Sequence, residues 1–192
     1  MNNPLFLFCG RSASGKTTVA DKLSSVYGYR QVESYTTRKP RFCGEIGHVF
    51  ISDEEFDNLG DLAAYTEYNG HRYGTTWEQL DKCSIYVIDV PGIESLLKKC
   101  KDHNRPIVII YFDSTTYTRI NRMLERHDSD MQIISRLLVD EKEDWLTQLD
   151  SLVWHYTKIE NMDVELYQVN ANNGLSQVVE QTLYYMNRYM ED

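Results

Sequence analysis

The chain alternates short apolar runs with longer stretches in which apolar residues recur every three or four positions. The apolar runs predict buried strands at 5–9, 84–89 and 107–112, with a further strand at 164–169. The helical periodicity predicts helices at 16–27, 93–101, 114–126, 131–149 and 175–189. Because strands and helices alternate, the pattern predicts an α/β fold in which helices cover both faces of a parallel sheet.

Residues 33–82 interrupt this rhythm with signals of short antiparallel strands. Residues 62–68 and 72–73 flank Asn69-Gly70, the strongest short-range hairpin signal. Further extended stretches precede the hairpin, at 29–35 and 49–51. Short helices are predicted after the Ser52 cap and over 76–82. We therefore expect a subdomain inserted into the α/β core.

A glycine-rich turn follows the first apolar run and opens the first helix. It reads Gly10-Arg11-Ser12-Ala13-Ser14-Gly15-Lys16-Thr17, which fits the phosphate-loop pattern G-x-x-x-x-G-K-[ST] in its required strand–turn–helix context. Backbone N–H groups and the helix N-terminus favour a phosphate chain, Lys16 reaches the terminal phosphates, and the Thr17 hydroxyl can hold Mg²⁺. We expect the whole loop and the adjoining Thr18 to contact ATP.

Composition limits the class of protein. A length of 192 residues with 42% hydrophobic content suits one domain, and no apolar run approaches membrane length. We expect no secretory signal, because the N-terminus lacks a basic flank and a long apolar segment. The four cysteines lack metal-ligand spacing, so reduced thiols and a cytoplasmic location are expected. A net charge of −9 argues against a nucleic-acid partner.

An arginine-containing loop follows about twenty residues after the phosphate loop. Residues 34–41 read S-Y-T-T-R-K-P-R, and Arg38 and Arg41 can close on one phosphate with planar, fork-like donors. Alone, such a loop is more often a solvated basic segment. Together with the phosphate loop, however, the pattern S-x-T-T-R-x-P-R resembles the guanylate kinase family. Tyr73-Gly74-Thr75 and the strand ending at Asp89 extend the resemblance, which covers essentially the whole chain.

The resemblance implies a set of site residues. In that family the phosphate loop holds ATP and the arginine loop holds the phosphate of the acceptor nucleotide. The implied acceptor-binding residues are Ser34, Arg38, Arg41, Glu45, His48, Tyr73 and Thr75. Asp89 would lie near the metal-bound water or the acceptor, and Asn170 near the adenine. The implied cofactor is Mg²⁺, bound with ATP as co-substrate.

Arginines also follow the third buried strand. Arg119, Arg122 and Arg126 fall on one face of the predicted helix 114–126, and Arg136 lies on the next helix. The resemblance implies that Arg122, Arg126 and Arg136 belong to a lid that stabilises the transferring phosphoryl group together with Lys16. The alternative is a solvated helix face, with Glu125, Asp128 and Asp130 as ion-pair partners.

The resemblance implies one domain of the P-loop NTPase type over residues 1–192. Its core would comprise residues 1–32, 83–118 and 150–192, its acceptor-binding subdomain residues 33–82, and its helical lid about 119–149. The expected partners are ATP and a nucleoside monophosphate, with no membrane or nucleic acid, in a monomer or homodimer.

Two departures from the family pattern concern the acceptor. His48 occupies the position nearest to a phosphate-binding tyrosine, and Ala64 stands where the family has a guanine-reading glutamate. Glu67 lies three positions further on, an odd offset that places it on the opposite face unless the strand bulges. A site without the paired carboxylate loses guanine discrimination. The residue that replaces this glutamate is left open.

Three functions follow from these observations. The first is an ATP-dependent nucleoside monophosphate kinase acting on GMP or dGMP. The second is a phosphotransferase that resembles the ribose 1,5-bisphosphate kinases, which the two departures favour and Arg41 disfavours. The third is a non-catalytic kinase-like binding module, which the intact Lys16 and Thr17 disfavour.

Overall fold

The computed structural model describes residues 3–41, 43–100, 105–142 and 144–189. The strands in this part of the chain are β1 Leu5–Cys9, β2 Ser34–Thr36, β3 His48–Phe50, β4 Leu62–Tyr68, β5 His71–Thr76, β6 Ile85–Val87, β7 Ile107–Asp113 and β8 Val164–Asn170. The helices are α1 Lys16–Tyr27, α2 Asp53–Asp57, α3 Trp77–Asp81, α4 Val90–Lys99, α5 Thr116–Glu125, α6 Asp130–Asp140, α7 Trp145–Lys158 and α8 Leu175–Asn187.

A four-stranded parallel sheet in the order β6-β1-β7-β8 forms the centre of the molecule. All five residues of β1 are buried, and alternate side chains enter two different apolar clusters. Leu5 and Leu7 pack toward α4 and α7, whereas Phe6 and Phe8 pack toward α1 and α8. The predicted α/β fold with a parallel sheet flanked by helices is therefore confirmed.

The first helix has the predicted bounds, and part of its apolar residues are buried. Val19, Ala20 and Leu23 are buried against the sheet, whereas Val26 is 55% exposed. The helix ends at Tyr27, and Gly28 caps it in the left-handed conformation at φ 75°. Val26 has the helical spacing of the buried residues but lies in the last turn, where it is exposed.

A second sheet has the order β3-β2-β5-β4. Strands β2 and β3 run parallel, and the other two pairs are antiparallel. The hairpin turn is the predicted Asn69-Gly70, with φ of 51° and 75°, as a type I′ turn requires. All four strands lie within residues 33–82, although the domain boundaries themselves stay predictions.

Two predicted helices differ from the observed ones. The single helix predicted over 131–149 was wrong, because α6 ends at Asp140 and Asp144 caps a separate α7 by accepting the Thr147 amide at 3.3 Å. Helix α4 begins at Val90 rather than 93, with Asp89 as its cap and Pro91 in its first turn, where no N–H is needed. Its predicted end at 101 lies outside the described residues. No helix in the described part of the chain is long and apolar enough to cross a membrane.

Candidate active site

The phosphate loop connects the buried β1 to α1 through backbone conformations that favour glycine. Gly10 has a φ of 151°, and a Cβ there would lie 2.7 Å from the Phe112 carbonyl oxygen. Gly15 caps α1 in the left-handed region at φ 98°, and Ala13 adopts φ 60°. Any residue with a side chain would be strained at these two positions, so the turn requires glycine at both of them. The loop lies where the pattern of residues predicted it.

Lys16 is the residue that follows Gly15, and its side chain folds back against the loop. Its ammonium group donates to the carbonyl oxygens of Gly10 at 2.5 Å and Arg11 at 2.9 Å, and more weakly to Ser14 Oγ at 3.4 Å. Burial lowers the pKa of Lys16, while the Asp140 and Asp89 carboxylates oppose that shift. The loop thus holds a cation among its own carbonyl groups.

Glu45 organises the arginine loop. Its carboxylate accepts two hydrogen bonds from Arg38, at 2.8 and 3.1 Å, and one from the Arg41 amide at 2.6 Å. Burial raises the pKa of Glu45, but these hydrogen bonds outweigh burial and the pKa is lowered. Glu45 therefore positions Arg38, whereas the Arg41 side chain is 48% exposed.

His48 lies beside the arginine loop on β3. Its Nδ1 lies 3.0 Å from Ser34 Oγ, and its ring meets Tyr73 edge-on with centroids 5.7 Å apart. Burial and then the Arg38 charge lower the pKa of His48 to about 4. At neutral pH the imidazole is uncharged, so it can offer a hydrogen bond but no positive charge to an anion.

One cavity joins the phosphate loop to the second sheet. Its lining combines residues predicted for both substrates, namely Gly10, Ser12, Lys16, Ser34, Arg41, His48, Tyr73 and Asp89. Thr75, also predicted here, is fully buried, and its hydroxyl donates to Gln79 Oε1 at 3.0 Å. The fold therefore brings part of the phosphate loop and four of the seven predicted acceptor-binding residues to a shared space, whereas Arg38, Glu45 and Thr75 do not line it.

Asp89 lies at the floor of this cavity, at the N-cap of α4. Its carboxylate accepts from the Gly92 amide at 2.8 Å and from the Thr66 hydroxyl at 3.1 Å. Burial raises the pKa of Asp89 despite these hydrogen bonds and the nearby Lys16 charge. Asp89 and the Thr17 hydroxyl are hard oxygen donors, which is the ligand type that Mg²⁺ prefers.

A second cavity lies on the other side of the phosphate loop. It is lined by loop and α1 residues from 13 to 19, by Arg122, Glu125 and Arg126, and by Ala171, Leu175 and Val178. The Arg122 guanidinium donates to the carbonyl oxygens of Ser14 at 2.9 Å and Ala171 at 2.7 Å. Asn170, predicted near the adenine, precedes Ala171, and its carboxamide oxygen accepts from the Asn172 amide at 3.1 Å.

The arginines that were predicted on one helix face, Arg119, Arg122 and Arg126, have different surroundings. Arg119 is fully buried and paired with Asp140 at 3.0 Å. Arg126 and Arg136 both pair with Asp128, at 2.7 and 3.7 Å. Burial, followed by the guanidiniums of Arg38, Arg136 and Arg126, lowers the pKa of Arg41. Arg136 and Arg126 therefore lie close enough to Arg41 for their charges to oppose its own.

The register of the hairpin settles which face Glu67 occupies. Ala64 pairs with Thr75 and Glu67 with Arg72, and the pairing is regular between them. The bulge lies before this stretch, between Leu62 and Ala64. Glu67 therefore points away from the cavity, where it accepts a hydrogen bond from Tyr65, and Ala64 is 1% exposed within the core.

Several cavity residues were missed from sequence. Thr66 and Tyr68 line the cavity from β4, and Tyr86 and Trp145 add aromatic surface. The alternation of β4 could have revealed the first two, because they share the face of Ala64. Trp145 comes from a helix whose start was not predicted, so no local signal pointed to it.

Comparison with known proteins identifies relatives of this chain. It is 32% identical over 146 residues to the guanylate kinase of Geobacter metallireducens, covering 69% of this chain and 70% of that protein. It is 27% identical to the guanylate kinase of Thermotoga maritima, covering 93% of this chain and 86% of the relative. No family model matches the chain.

A solved structure supports the fold separately. The guanylate kinase of Anaplasma phagocytophilum superposes with a TM-score of 0.54 over 98% of this chain and 87% of its own. Its sequence identity is 17%, so this likeness concerns the fold alone. The identity and coverage of the Geobacter protein, together with the phosphate loop and arginine loop facing one cavity, show that the chain belongs to the guanylate kinase family.

Proposed function

We propose that this protein transfers the γ-phosphoryl group of ATP to the phosphate of a nucleoside monophosphate, with GMP and dGMP as the first candidates. One observation carries the proposal: Lys16 of the phosphate loop and Arg41 of the arginine loop line the same cavity. Phosphoryl transfer depends chiefly on positioning two anions and neutralising their charge, which such a cavity supplies.

Each set of residues has a distinct task in this proposal. Lys16 neutralises the terminal phosphates of ATP, and Arg38 and Arg41 position the acceptor phosphate. Arg122, Arg126 and Arg136 stabilise the charge that spreads over the transferring group. No general base is required, because an acceptor phosphate is already ionised at neutral pH. The uncharged His48 orients Ser34 and adds a neutral hydrogen bond.

The residues present also fit the Mg²⁺ that this family generally uses with ATP. Thr17 in the first turn of α1 would hold the ion from the second cavity, and the Asp89 carboxylate lines the neighbouring acceptor cavity, which Lys16 also lines. The ion would supply additional neutralisation of the phosphate charge. Asp89 also accepts hydrogen bonds from Thr66 and Gly92, which orient its carboxylate toward the cavity.

The lining of the cavity favours a nucleoside over a sugar phosphate as acceptor. Tyr68, Tyr73, Tyr86 and Trp145 surround it, and aromatic faces suit a planar base. Discrimination among bases is expected to be weaker than the family pattern implies. Ala64 carries no acceptor for the guanine N–H groups, and Glu67 lies on the other face.

The decisive experiment measures ATP consumption with a panel of acceptors: GMP, dGMP, the other nucleoside monophosphates and ribose 1,5-bisphosphate. The proposal expects nucleoside monophosphates to be the best substrates. Transfer to ribose 1,5-bisphosphate alone would replace the nucleotide acceptor with a sugar. Binding of nucleotides without any transfer would support the non-catalytic alternative.

A further inference from the structure

A buried carboxylate at the end of α6 joins the lid helices to the phosphate loop. Asp140 is 0% exposed and accepts from the Ser12 amide at 2.8 Å and from Arg119 Nη1 at 3.0 Å. The Arg119 side chain is equally buried. Arg119 also pairs with Glu141 at 2.7 Å, so Asp140 joins the phosphate loop to a buried arginine that contacts both α5 and the end of α6.

Tyr68 brings the acceptor side of the cavity to the same point. Its hydroxyl lies 3.1 Å from Ser12 Oγ and 3.3 Å from Asp140 Oδ1. An ionised carboxylate can only accept and each hydroxyl carries one proton, so two of the three contacts among Tyr68, Ser12 and Asp140 are hydrogen bonds at any one time. Tyr68 is the last residue of β4 and lines the cavity. The second sheet therefore contacts the phosphate loop through the phenol group of Tyr68.

The position of Ser12 makes this junction relevant to ATP. Ser12 belongs to the loop whose backbone N–H groups receive phosphate oxygens. Its amide donates to Asp140, and its hydroxyl lies within hydrogen-bonding distance of both Asp140 and Tyr68. A displacement of β4 would therefore alter the hydrogen bonds that set the conformation of the loop.

The acceptor is expected to act on the same sheet from its other end. Strand β2, which leads into the arginine loop, pairs with β5, and β5 pairs with β4. An acceptor phosphate held by Arg38 and Arg41 would fix the position of this sheet relative to the phosphate loop. Tyr68 is the residue at which that position is transmitted to Ser12.

We propose that Tyr68 and Asp140 are positioning residues that couple the two substrate sites through Ser12, so that a filled acceptor cavity tightens ATP binding. The inference rests on the proposed function, since it requires both substrates. By thermodynamic linkage ATP then tightens acceptor binding by the same factor. If Tyr68 and Asp140 only stabilised the fold, replacing them would change the stability of the protein but not the coupling between the two substrate sites.

The test is calorimetric titration of a non-hydrolysable ATP analogue with Mg²⁺, with and without saturating monophosphate. The monophosphate is the one that turns over fastest in the acceptor panel. In Tyr68→Phe we expect the ratio of the two dissociation constants to fall on the order of five-fold toward one. Tyr65→Phe is the matched control, because the Tyr65 hydroxyl donates to Glu67 on the opposite face of the same strand. It should keep the wild-type ratio.

Asp140→Asn tests the other partner. The same loss of coupling is expected, and the double variant Tyr68→Phe, Asp140→Asn should lose no more than either single change. If Asp140→Asn fails to fold because the buried Arg119 keeps only Glu141 as an ionic partner, Tyr68→Phe still decides the question.

An unchanged ratio in Tyr68→Phe, or a wild-type ratio of one, overturns the coupling. A lower melting temperature with an unchanged ratio would show that Tyr68 only stabilises the fold. Phosphoryl transfer by the wild type distinguishes these failures from failure of the proposed function. If the wild type transfers phosphoryl groups without coupling, only this inference falls, whereas no transfer to any acceptor removes its basis.

Discussion

The phosphate loop and the acceptor cavity are built in different ways. In the described part of the chain, the hydrogen bonds of Lys16 go to Gly10, Arg11 and Ser14, all within six positions of it. The acceptor cavity instead gathers residues as distant as Ser34 and Trp145. The position of Lys16 therefore depends on local backbone conformation, and the acceptor cavity on how the second sheet and the helices pack. Substitutions should therefore act locally in the loop and more widely in the cavity.

Lys16→Ala should have the largest effect on activity and little effect on folding. The change removes a cation that the proposal assigns to the terminal phosphates, so we expect kcat to fall at least about a thousand-fold. Its hydrogen bonds lie within one loop, so the melting temperature should stay near the wild-type value. Turnover and thermal melting are measured together, with the exposed Lys22→Ala on the same helix as control. Near-normal turnover in Lys16→Ala would contradict the assignment of this loop.

Arg38→Ala and Arg41→Ala should separate binding from structure within the acceptor loop. Each removes a charge-assisted contact, so the acceptor KM should rise about 30-fold, or about 2 kcal/mol, with the ATP KM much less affected. Arg38 is the arginine whose guanidinium makes two hydrogen bonds to the Glu45 carboxylate, so of the two variants only Arg38→Ala should lower the melting temperature. The exposed Lys39→Ala is the control. An equal rise of the ATP KM would mean that this loop serves the other phosphate.

His48 should make folding stability depend on pH. Its pKa is about 4 in the folded protein, against about 6.5 when unfolded, so the unfolded chain binds a proton that the folded chain does not. The contribution is complete above pH 6.5 and is lost as the pH falls toward 4. At pH 5 it should be about 2 kcal/mol smaller than at pH 7. Urea unfolding of wild type and His48→Gln at both values isolates it. Parallel losses in the two proteins would argue against a neutral buried imidazole.

Glu67→Gln should have the smallest effect. Glu67 lies on the face of β4 away from the cavity, so discrimination between GMP and AMP should stay within about two-fold of wild type. A competition assay with both monophosphates measures it. A large loss of GMP preference would mean that the hairpin register differs from the one described.

Some features were predictable because their causes lie in adjacent residues. Glycines at positions 10 and 15 impose the phosphate loop, and Asn69-Gly70 imposes the hairpin turn. The buried strands β1 and β7 follow from continuous apolar runs. For these elements the local conformational preference and the final fold agree.

The helical region after α5 was predicted less well for a physical reason. Apolar residues recur up to Val139 and resume at Trp145, and the polar residues between them are compatible with a solvated helical turn, so the break is marked by the Asp144 cap with its Thr147 contacts. Likewise, the regular spacing of Arg119 with Arg122 and Arg126 predicts a shared face. This spacing gives no indication that Arg119 is buried in an ion pair with Asp140.

The sequence by itself determined the α/β class, the phosphate loop and the arginine loop, because each rests on contacts or torsions within a few residues. Tertiary structure alone decided that Glu45 pairs with Arg38 and that Glu67 faces away from the cavity. It decided as well that burial keeps His48 uncharged. It also decided that Tyr68 and Asp140 meet at Ser12. These outcomes depend on burial and on partners distant along the chain. Neither property is encoded in the spacing of residues, and both arise only when the sheets and helices pack together.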